Sequence, residues 1–174
     1  MTKKTISGVV VVVILALVAF VVFAMSMRRS HMMGGGGGGS QLELVAVSAD
    51  GAQIPPSADV TSVTGELPKG TVAQKSGDLI VSLALNPYPP RAGAPSEFDV
   101  TLTDVNGKAI DDATITLDLT MPSMWMPPNQ PAMEFVSAGK YSTTAPFTMR
   151  GEWRIEVIIT RGSEKQSVFF DVGL

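Results

Sequence analysis

After residue 30, no stretch of this chain repeats its apolar residues with the 3.6-residue period of an amphipathic helix. Instead, short runs rich in β-branched and aromatic residues recur: Leu79 to Leu85, Phe98 to Leu102, Ala113 to Leu119, Ala132 to Val136, Tyr141 to Thr144, Trp153 to Ile159 and Val168 to Val172. Gly, Pro, Asn or Asp signals separate them, as expected of strands joined by tight turns. Seven or more such strands in roughly a hundred residues predict an all-β, immunoglobulin-like β-sandwich.

Strand alternation assigns the core. Phe98, Val100 and Leu102 point one way, as do Ile115, Leu117 and Leu119, and Trp153, Ile155, Val157 and Ile159. Asp99, Thr101, Thr116, Asp118, Arg154 and Glu156 then face solvent, and Trp153 reads as a core residue, not a ligand. Asn106-Gly107 and Ala138-Gly139-Lys140 are turn signals. Upstream, Gln41 to Val47 reads as a first strand. Asp50 to Lys75, rich in Ser, Thr, Pro and Gly, reads as a long loop with at most one short strand over Asp59 to Val63.

The N-terminus is of another kind. Ile6 to Ala24 is an uncharged run of apolar and small residues between Lys3-Lys4 and Arg28-Arg29, near the roughly 20 residues that span a bilayer. It exceeds the roughly 7–15-residue core of a signal peptide. An uncleaved anchor is therefore favoured over a cleaved leader. The expected organisation is a cytoplasmic stub and transmembrane helix over 1–29, with residues 6–27 in the membrane, a Gly-rich linker over 30–40, and an extracytoplasmic domain over 41–174. Four basic and no acidic residues precede the domain, leaving nine basic and sixteen acidic residues within it. That balance disfavours nucleic acid, whose phosphates require a basic face.

Met121-Pro-Ser-Met124-Trp-Met126, with Met133 downstream, lies in a Pro-rich loop. Thioethers are soft, uncharged donors suited to Cu(I); they also fill irregular gaps and adaptable contact surfaces, and both readings stand. If consecutive strands reverse direction, the loop Met121 to Pro131 and the loop Pro146 to Gly151 share one end of the sandwich, as does Pro87 to Pro95. Met121, Met124, Met126 and Met149 can then converge, and Met133 joins them if its side chain faces that rim. Pro122, Pro127, Pro128 and Pro131 stiffen the loop. Trp125 could cover a bound Cu(I) with its ring face or cap the open end of the sandwich. Trp125, Pro127 and Pro128 are also the expected partner-contact residues.

Catalysis is the least supported class. The domain has no Cys, and the sole histidine, His31, precedes it, which removes the commonest nucleophile–base pairs. Asp111-Asp112 is the only adjacent carboxylate pair; it falls in a turn at the end opposite the methionines and reads as solvated.

The ordered set Met121-Pro-Ser-Met124-Trp-Met126, Gly139-Lys-Tyr141 and Met149-Arg-Gly151-Glu-Trp153, preceded by Leu85-Asn-Pro-Tyr-Pro-Pro-Arg-Ala-Gly93 and Phe98-Asp-Val-Thr-Leu-Thr-Asp104, resembles YtkA-like domains and the related FixH-like proteins over about 78–172. The resemblance implies an immunoglobulin-like domain on one N-terminal helix, associated with copper handling or with assembly of membrane oxidases. It places Met121, Met124, Met126 and Met149 on the motif methionines. Two functions follow as expectations: a membrane-anchored Cu(I)-binding domain serving copper delivery or assembly of a membrane-bound oxidase or electron-transfer complex, or a non-metal accessory subunit of a respiratory or photosynthetic complex using the Met/Pro rim for contact. The histidines of some copper chaperones have no counterpart within the domain, which disfavours Cu(II).

Overall fold

Nine strands and one short helix build residues 43–174, the part of the chain that the computed structural model describes. The expected anchor and Gly-rich linker lie outside the described residues. Among the described residues, no helix is long and apolar enough to cross a membrane. In chain order the elements are β1 (Val45–Val47), α1 (Ala58–Thr64), β2 (Thr71–Ser76), β3 (Leu79–Asn86), β4 (Pro95–Asp104), β5 (Thr114–Thr120), β6 (Glu134–Ser137), β7 (Lys140–Pro146), β8 (Glu152–Arg161) and β9 (Glu164–Gly173). They form two antiparallel sheets, β1-β9-β8-β5 and β2-β3-β4-β7-β6.

The alternating pattern dictates what lies between the sheets. Alternate residues along β4, β5 and β8 are buried, among them the apolar Phe98, Val100, Leu102, Ile115, Leu117, Leu119, Trp153, Ile155, Val157 and Ile159. They share one core with Leu79, Val81, Leu83 and Leu85 of β3 and Val168, Phe170 and Val172 of β9. Burying a large apolar side chain contributes about 1.5–3 kcal/mol, so this double layer needs no disulfide. Tyr141 fastens the turn end: its hydroxyl donates to the Ile110 carbonyl at 3.0 Å and accepts from the Ala113 N–H at 3.3 Å. Asp111 and Asp112 serve the same end, Asp111 accepting from the Gly139 N–H and Asp112 pairing with Arg161 at 3.1 Å.

Three expectations are corrected. Asp59 to Val63 is not a strand but part of helix α1, capped at Ser57, whose side chain accepts from the Val60 N–H. The helix forms because Val60, with Val63 and Leu67, packs on Ala73 and Ile80, a second small core on the outer face of β2 and β3. Nor is Thr71 to Lys75 loop: it belongs to β2, an edge strand paired to β3 from Thr71↔Ala84 to Ser76↔Leu79. Finally, Ala132 to Val136 is not one strand. Residues 129–133 run along β5, with the Leu119, Leu117 and Met133 N–H groups bonded to Asn129, Pro131 and Ile115 carbonyls respectively. Only Glu134–Ser137 crosses to pair with β7.

Candidate functional site

Strand register decides which loops meet. Thr120 at the end of β5 pairs with Arg154 near the start of β8, and Pro95 at the start of β4 pairs with Pro146 at the end of β7. The segments 121–131, 146–151 and 87–95 therefore leave the same end of the sandwich. Cross-links tie them together. The Gly93 N–H donates to the Phe147 carbonyl at 2.7 Å, and Gly151 and Leu174 exchange backbone hydrogen bonds at 3.0 and 3.2 Å.

The methionine loops touch directly at Gly151. A β-carbon on Gly151 would stand 2.6 Å from the Met121 methyl, and Gly151 sits at φ +136°, a conformation L side chains rarely adopt. Two residues on, the Trp153 indole N–H donates to the Met149 carbonyl at 3.0 Å while its ring is fully buried against Phe147. Met149-Arg-Gly151-Glu-Trp153 is thus a structural unit. Trp153 anchors the loop in the core, Gly151 leaves room for Met121, and Met149 is left facing out.

The rim methionines divide by depth. Met121 is buried and belongs to the main core, whereas Met124 is 49% and Met149 42% exposed. Met126 is partly buried and packs against the core. The Met124 N–H donates to the Met121 carbonyl at 3.2 Å, which turns the loop back over the end of β5. Met133 does not join this group: its N–H is bonded to the Ile115 carbonyl, six residues down β5 from Met121, and it is buried. At about 3.3 Å per residue, that separates it from the rim by roughly 20 Å. Trp125 is 88% exposed and so does not cap the sandwich. Pro127 and Pro128 beside it are also exposed.

Hard-ligand alternatives are few. Among the described residues there is no group of three or more His, Cys, Asp and Glu side chains suited to a metal ion. The burial of Met121, and its contact with Gly151, were not legible from spacing alone; the one signal was the glycine two residues after Met149.

Comparison with models of protein families matches residues 73–158 to the family described as YtkA-like. No curated protein matches the chain. The matched span begins inside β2 and ends inside β8, so it includes the 121–131 and 146–151 loops and leaves out β1, α1 and β9.

Proposed function

The chain carries a YtkA-like domain over residues 73–158, and from that premise we propose that it is a binding module, not an enzyme, whose methionine rim takes Cu(I). The observation that carries this reading is the meeting of two methionine loops at one end of the sandwich, through the approach of Met121 to Gly151, with Met124 and Met149 half-exposed in those same loops. The donor set fits a soft, monovalent ion: thioethers alone suit Cu(I) and bind hard cations poorly. Met124, Met126 and Met149 would hold the ion from the solvent side, with Met121 beneath them. Bound copper would supply a cargo for transfer.

The wider role rests on resemblance. An immunoglobulin-like domain of this kind, tethered to a membrane through residues 6–27 and held on the extracytoplasmic side, would deliver Cu(I) to, or assist assembly of, a membrane-bound oxidase or electron-transfer complex. A second reading has its own support in Trp125: an almost fully exposed indole between Met124 and Pro127 is an anchor for a protein contact. On that reading the rim is a contact patch of an accessory subunit and binds no metal. Anaerobic titration of the protein with Cu(I) against a competing chelator separates the two, since only the first gives stoichiometric uptake.

A further inference from the structure

The segment upstream of the YtkA-like match builds a cavity of its own. The 630 Å³ space is a half-open cleft at the edge of the sandwich, lined by residues 43–46, residues 53–56, helix α1 and the start of β2. Small-molecule sites run from roughly 300 to 1,000 Å³. The space forms where the two cores come together around one strand edge. Val72 packs with the inter-sheet core while its neighbour Ala73 packs under α1. Leu44, Ala46, Ile54, Val60, Leu67 and Val72 make its walls apolar. Polar side chains are confined to a few of the described lining positions: Gln53, Thr61, Thr64 and Thr71 offer uncharged hydrogen-bonding groups. The walls are fixed by backbone and side-chain bonds: the Leu44 N–H donates to the Tyr88 hydroxyl at 2.9 Å, and the Ile54 N–H to the Ala46 carbonyl at 2.8 Å.

Charge narrows the ligand. Among the described residues that line it, Glu43 is the only ionisable side chain, and no described Lys, Arg or His accompanies it. A carboxylate or phosphate head would meet a like charge and no counter-ion, whereas a hydroxyl or carbonyl head would find amide and hydroxyl partners. We propose that this cavity is a binding site for a neutral, predominantly apolar small molecule with one uncharged polar end, such as a long-chain alcohol or ketone. None of the methionines of the rim is among the described residues that line this cavity.

The test uses the full chain in phosphatidylcholine nanodiscs with a diazirine-bearing decanol as photoprobe, and its decanoic acid counterpart as the anionic control. The labelled sites are mapped by peptide mass spectrometry. The alcohol is expected to label peptides within residues 53–73, excess decanol to compete the label away, and the acid to label them more weakly. Leu67→Trp, which fills the cavity from its wall, abolishes that label. Thr61→Trp, from the part of α1 that lines the cavity, does the same if Leu67→Trp does not fold, and thermal melting reports which variants are folded. Labelling that is absent from 53–73, confined to residues 1–42, or unchanged in a folded filled variant would overturn the site.

Discussion

The Met121 methyl lies where a side chain on Gly151 would begin, 2.6 Å from the position of a Gly151 β-carbon. The Met121 side chain thus packs from the end of β5 against the loop before β8. Gly151→Ala therefore meets two penalties: the backbone at φ +136°, which for a non-glycine residue costs about 1–3 kcal/mol, and a smaller one for displacing the Met121 methyl, the far end of a flexible side chain. Met121→Ala removes only the second. A double-mutant cycle by urea denaturation should show Gly151→Ala costing less in the Met121→Ala background than alone. Strict additivity would mean that the two loops are not coupled here.

Tyr141 bridges the opposite end through Ile110 and Ala113. Burial pushes its hydroxyl pKa up, so it remains a donor throughout the neutral range. Tyr141→Phe leaves a carbonyl and an N–H without that partner and should cost about 1–3 kcal/mol of stability. The methionine rim is remote from it, so any ligand affinity at the rim should stay the same. Loss of rim binding with unchanged stability would contradict this division.

Acid should weaken the fold through its turn carboxylates. The Lys108 and Asn106 N–H groups hold Asp104 below the ordinary carboxylate range, the Ser48 hydroxyl does so for Asp50, and the Arg161 guanidinium for Asp112. A carboxylate whose folded pKa is lowered contributes stability above its unfolded pKa, near 4. That contribution is lost as pH falls through the folded value. Thermal melts should thus be flat from neutral pH to about 5 and decline below it. Asp104→Asn should lower the plateau and flatten the decline, and a variant with an unchanged acid limb would exclude Asp104 as a contributor.

The strands whose side chains alternate cleanly, β4, β5 and β8, were readable because burial on one face imposes a period of two. Trp153 was readable as core for the same reason. Helix α1 was not, because Ala58–Thr64 is short, rich in Thr and Ser, and held by tertiary packing of Val60 on Ala73 and Ile80 rather than by propensity. Its signals were the Ser57 cap, the Val60, Val63 and Leu67 spacing, and the Gly65 stop. Strand β2 was hidden because an edge strand buries little, leaving Gln74 and Lys75 among its residues. At the rim, chain reversal indicated which loops share an end. Depth was not legible: spacing alone could not place Met121 in the core, Met133 beside Ile115, or Trp125 in solvent.

The most direct measurement of the central claim is Cu(I) competition on the full chain with Met124, Met126 and Met149 changed to leucine, leaving the core residue Met121 intact. Leucine roughly conserves volume, so stability should change by less than about 1.5 kcal/mol, while three thioether donors are lost. The account predicts stoichiometric Cu(I) retention by the wild-type protein under anaerobic conditions and its loss in the folded triple variant. Equal retention by the two proteins, or none by the wild type, would contradict a methionine copper site.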